Sequence, residues 1–155
     1  MNEKDIELLT SIYQNCQTAL QSIADLEPSV ESDVLRAELR EEQERYKKFS
    51  AKCQKLAQQN DKELSDNNLF EKAKLWTSVK MSTMTDKSTR HLAEMLLLGT
   101  VMGTLQCYKD LCDYRDCEKS LLELCCELLK LEESHFDYLK MFLKSDHDRT
   151  ADSTD

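Results

Sequence analysis

The chain has 155 residues, and its 30 acidic and 21 basic side chains leave a formal net charge of −9, in a length suited to one domain. Its two glycines and one proline stand where average usage gives about eleven and about eight, which excludes turn-rich sandwiches and barrels. A composition 40% hydrophobic and 33% charged supports a packed core rather than disorder, the acidic balance excludes nucleic acid and anionic membrane surfaces as partners, and no apolar run is long enough to span a bilayer.

The first predicted helix runs from about Asn2 to about Ala24. Asn2 suits an N-cap, with Asp5 three residues on. The stripe Ile6, Leu9, Tyr13, Cys16, Leu20, Ile23 steps by threes and fours, the period of a bundle helix. Asp25-Leu26-Glu27-Pro28 turns the chain, because Pro28 disfavours helix at the residue before it. The second helix runs from about Ser32 to about Gln59, with Leu35, Leu39, Glu42, Tyr46, Phe49, Cys53 and Leu56 on its stripe, so a carboxylate occupies a core position. The connection from Asn60 to about Lys87 is long for a bundle loop. It is expected to carry a short helix capped by Asn68 and Glu71, with an apolar face of Leu69, Ala73 and Trp76.

The third helix runs from about Ser88 to about Tyr114 and is apolar on almost every side from Leu92 to Leu105. That predicts the most buried of the four, with a stripe of His91, Glu94 (or Met95), Leu98, Val101 (or Met102) and Leu105. Gly99 and Gly103 lie one turn apart inside it, each costing about 1 kcal/mol against Ala. Close approach of another helix, within the chain or across a dimer, is the expected compensation. The fourth helix runs from about Cys117 to about Leu143, after Asp116 as cap, with Leu121, Cys125, Leu128, Glu132, His135, Leu139 and Phe142 on its stripe. Residues 144–155 contain one Ala and no larger apolar residue, and read as a solvated tail in which His147, between Asp146 and Asp148, is exposed. One helical domain over 1–143 follows.

The seven cysteines are odd in number and none forms C-x-x-C, a poor disulfide framework and a poor zinc site. They read as small buried apolar residues in a reducing cytoplasm. The start, Met-Asn-Glu-Lys-Asp, has no apolar segment behind a basic one, so no signal peptide is expected.

Three helices thus place ionisable groups on the stripe that should be apolar: Glu42 on the second, His91 and Glu94 on the third, Glu132 and His135 on the fourth. Buried carboxylates are costly unless partnered, protonated or metal-bound. A common depth requires that the long connection cross the whole bundle, so that the second and third helices run parallel. Glu42 and Glu94 then fall about one turn apart, whereas an antiparallel arrangement separates them by roughly 18 Å.

In these features the chain resembles the ferritin-like superfamily, across all four long helices, with the long crossover and the Glu-x-x-His of the last helix. The resemblance implies an all-α four-helix bundle. It also implies a metal centre built from a Glu on each of two helices and Glu-x-x-His on each of the other two. Glu94 matches the third-helix ligand, Glu132-Glu133-Ser134-His135 the fourth-helix motif, and Glu42 the first ligand of the second helix. Arg45 stands where that helix should carry His, and Gln17 (or Gln14) where the first helix should carry Glu, while His91 is an additional donor.

Two functional readings follow. One is a non-catalytic structural or interaction protein with a buried polar network, Glu42 pairing with Arg45 and His135 with Glu94 or Glu132. The other is an Fe-, Mn- or Zn-binding protein, an oxidase or metal-handling protein, with Glu42, His91, Glu94, Glu132 and His135 as ligands. No cysteine has a histidine nearby by spacing and no glycine-rich phosphate loop occurs, so a nucleophilic enzyme is not expected. The apolar third helix and its glycine pair point to a homo-oligomer, a dimer through that helix.

Overall fold

Three of the four long helices start where the N-cap side chain takes up a free N–H group. The structure, a computed structural model, describes residues 1–65 and 85–144; the short helix expected around Asn68 to Trp76 and the tail with His147 lie outside them. Helix α1 (Glu3–Leu26) opens on a complete capping box, Asn2 accepting from the Asp5 N–H and Asp5 from the Asn2 N–H. Ser32 caps α2 (Asp33–Gln58) and Ser88 caps α3 (Thr89–Asp113). The fourth helix, α4 (Lys119–Leu139), starts two residues later than the sequence suggests, and Asp116 is not its cap. The buried Asp5 carboxylate instead accepts the Glu118 N–H at 2.9 Å, so one residue of α1 serves the starts of two helices. A 3-10 turn, Glu27–Ser29, joins α1 to α2 with Pro28 in it, and another, Lys140–Leu143, continues α4. No strand occurs among the described residues.

Side-chain bonds set the directions. Helix α1 meets α2 through Gln17–Ser50 (2.7 Å) and Tyr13–Gln54 (3.3 Å), and meets α3 through Asn15–Gly103 (3.0 Å) and Ser11–Asp110 (2.7 Å). It is antiparallel to both, so α2 and α3 run parallel, as the sequence reading expected. Helix α4 closes the bundle, antiparallel to α2, with Lys52–Glu127 at 3.0 Å on the outside and Glu42–His135 inside.

The expected stripes of α2 and α4 face the core. All seven named positions of α4 are buried, as are Leu35, Leu39, Glu42, Tyr46 and Cys53 of α2, with Phe49 and Leu56 half-buried. Helix α3 departs from expectation. Leu98, Val101, Met102 and Leu105, with Tyr108, are 49–59% exposed, so α3 is not the most buried helix. Its buried line is Leu92, Leu96, Thr100, Gly103, Cys107 and Asp110. A helix apolar on every side carries no periodic signal to choose a face. The polar groups choose instead: Asn15 needs the Gly103 carbonyl, and Asp110 accepts from both Ser11 and Gln106.

Candidate functional site

The core stripes of α2 and α4 bring three ionisable groups together at mid-bundle. Glu42 (1% exposed), Glu132 (1%) and His135 (2%) lie inside, beside Tyr46. His135 Nδ1 stands 3.5 Å from Glu42 Oε2, and neither atom has a hydrogen-bond partner. The Tyr46 ring meets the imidazole edge-on, with centroids 6.4 Å apart. The other Glu42 oxygen is held by the Arg45 guanidinium, three residues on in α2, and Arg45 also reaches Glu38 at 3.8 Å and Glu41 at 3.4 Å.

Glu132 points toward α3 and fills the space that a side chain at position 103 would take. A Cβ on Gly103 would sit 2.8 Å from Glu132 Oε1 and 3.0 Å from Asn15 Oδ1. The glycine in mid-helix is therefore compensated by close approach within the chain, but the approaching atoms are a carboxyl and an amide rather than a helix backbone. Gly99, one turn earlier, has nothing within 4 Å of its Cβ position and lines a cleft. That cleft lies between α1 and α3, has a volume of about 450 Å³, and reaches Tyr46, Glu132 and His135.

Burial governs the protonation of these groups. It pushes the Glu132 carboxyl up to about 8, against the Tyr46 hydroxyl, which favours the carboxylate, and with help from the charge of Glu42. It pushes Glu42 up to about 7 even though Arg45 works in the other direction. Burial, reinforced by the positive charge of Arg45, drives His135 down to about 4, so its imidazole is neutral at physiological pH. The Tyr46 phenol, also buried, lies well above its ordinary value, and its hydroxyl makes no well-formed hydrogen bond.

His91 and Glu94 do not join this group. They sit at the outer start of α3, where Glu94 pairs with Arg90 (3.4 Å) and His91 (3.4 Å), and the side chains of His91 and Glu94 are 36% and 45% exposed. At the level of Glu132 the residue of α3 is Gly103, nine positions on. Nine residues are two and a half turns, which moves Glu94 about 13 Å along the axis and turns it to the opposite face. On α1 the residue at this level is Asn15, not Gln17 or Gln14: Gln17 bonds Ser50, and Gln14 bonds the Ser65 carbonyl. Sequence reading missed Asn15, Tyr46 and Glu38. Tyr46 was on the predicted stripe of α2, and Glu38 lies one turn before Glu42, so both were within reach of a helical count. Ligand atoms of Glu38, Glu42 and His135 lie within 4.8 Å of one another, a grouping able to hold a cation.

The chain matches no family model, no curated protein and no solved structure. The described helices contain none long and apolar enough to cross a membrane, and all seven cysteines are free.

Proposed function

We propose that this chain is a non-catalytic helical bundle of ferritin-like type, an interaction protein whose buried polar network locks α2 against α4. The observation that carries the reading is the Arg45 guanidinium on Glu42. A ferritin-like two-metal centre needs carboxylates from two helices and Glu-x-x-His from two more. Here the matching places hold Asn15, Gly103 and Arg45 beside Glu42, Glu132 and His135. Those donors do not fit a two-metal centre, and the carboxylate nearest to one already has a cation from its own helix. Protonation of Glu42 or Glu132 and neutrality of His135 relieve the remaining charge without an ion.

The interaction surface is the outer face of α3, where Leu98, Val101, Met102, Leu105 and Tyr108 form a continuous exposed apolar strip. A second copy of the chain is the proposed occupant, and a reducing, cytoplasmic setting agrees with the free thiols. Sedimentation velocity tests this surface: a dimer is expected, converted to monomer by Val101→Glu. A monomeric parent protein would remove the dimer.

The grouping of Glu38, Glu42 and His135 favours a second reading, one Fe, Mn or Zn ion on these residues. Metal analysis of protein from Fe- and Mn-supplemented cells separates the two. Trace metal unaffected by His135→Ala is expected. One metal per chain, lost in His135→Ala, would establish the second reading and remove the first.

A further inference from the structure

The cleft between α1 and α3 has the composition of a ligand site. At about 450 Å³ it falls in the range of about 300–1,000 Å³ typical of small-molecule pockets. Its walls are mainly apolar, with Ala19 and Ile23 from α1 and Leu96, Met102 and Leu105 from α3. Met102 and Leu105 are more than half exposed, so the cleft opens on the outer side of α3. Its inner end is formed by Glu132 and Tyr46, residues each 1% exposed, and the Tyr46 hydroxyl has no hydrogen-bond partner among the described residues. A dry wall ending in a few polar groups selects a ligand with an apolar body and one polar head.

The sign of that head follows from the groups around Glu132. Glu42 and Tyr46 of α2, Cys16 of α1 and Cys107 of α3 interact with it electrostatically, and none of them is a cation. His135, on its own helix, also lines the cleft and is neutral. Arg45 is engaged by Glu42, and Lys109, the one ammonium in the cleft lining among the described residues, is exposed. A buried carboxyl without a counter-charge gains most from a cation delivered to it. Once Glu132 is ionised in such a pair, it also becomes the acceptor that the Tyr46 O–H lacks. A carboxylate head would find no cation at this end of the cleft, and an uncharged head would leave Glu132 in its protonated form, whereas an ammonium draws it into an ion pair.

We propose that this cleft binds a small amphiphilic amine, its apolar body between α1 and α3 and its ammonium on Glu132. The probe set is n-octylamine, n-octanol and octanoate, titrated calorimetrically into the full-length Val101→Glu protein, in which no second copy covers Met102 and Leu105 at the cleft mouth. Octylamine is expected to bind one to one, at least tenfold tighter than the other two, and Glu132→Gln to erase that preference. Gly99→Leu fills the cleft from a position with nothing within 4 Å. It is expected to weaken octylamine at least tenfold while the helical circular dichroism holds and the unfolding midpoint does not fall. The proposal is overturned if octylamine does not bind, if octanol or octanoate binds as tightly, if the preference survives Glu132→Gln, or if folded Gly99→Leu binds unchanged.

Discussion

Helices α3 and α4 form one hairpin, yet they are oriented by different physics. Helix α4 has a strong contrast between its faces: its seven stripe positions are buried, and Glu123, Glu127, Lys130, Glu133 and Asp137 face outward. Burial of its apolar stripe is enough to fix its rotation. Helix α3 is apolar nearly all round from Leu92 to Leu105, so turning it about its axis changes the buried apolar area little. Its rotation is settled by groups that cannot be left unpaired or overlapped: the Gly103 carbonyl taken by Asn15, Asp110 taken by Ser11 and Gln106, and the Glu132 carboxyl lodged against Gly103. Polar satisfaction sets position here, and larger side chains are left in water as a result.

The widest separation between the two helices is expected in their leucines. Leu128→Ala on α4, at a fully buried site, should cost about 2–5 kcal/mol in urea unfolding. Leu98→Ala on α3, at a site 55% exposed, should stay within about 0.5 kcal/mol. Equal losses would mean that α3 is rotated differently from the description above.

The glycines sharpen the same contrast within one helix. Gly103→Ala must displace Glu132 or Asn15 and is expected to destabilise by about 1–3 kcal/mol. A Gly103→Ala variant as stable as the parent would show that Glu132 does not depend on that gap.

The pH dependence tests the polar centre directly. Glu132 and Glu42 are raised to about 8 and about 7 from 4.5, so the folded chain binds more protons than the unfolded one across that window, and stability falls as pH rises through it. His135 acts in the opposite sense: lowered to about 4 from 6.5, it reduces stability as pH falls below 6.5. Between pH 6.5 and 8.5 the carboxyl effect runs without opposition from His135. The urea midpoint should decline over that range, and Glu132→Gln should flatten the decline. An unaltered slope in Glu132→Gln would assign the decline to another group.

The smallest effect is the reverse of the glycine result above. Gly99 has open space at its Cβ position, so Gly99→Ala should raise stability by about 0.5–1 kcal/mol through helix propensity alone. A loss of stability there would point to a contact on the outer face of α3, such as a second copy of the chain, and sedimentation of the variant would check it.

The four long helices, their order and near-complete boundaries were legible in the sequence, because threefold and fourfold spacing, the cap at Asn2, and the break at Pro28 are local properties. The burial of Glu42, Glu132 and His135 was legible for the same reason: each sits on a stripe with strong contrast between its faces. The partners of those residues were not. Asn15 and Gly103 enter the site through the register of α1 and α3 against α4, and an error of a few residues in the α3–α4 turn is enough to exchange Gly103 for Glu94 as the facing position. The cleft belongs to tertiary structure entirely, since its walls come from α1 and α3 and its inner end from α2 and α4. Periodicity lets the sequence decide what each helix buries when its faces differ. Where they do not differ, only the packing of the other three helices, and the hydrogen bonds they demand, decides which way the helix turns.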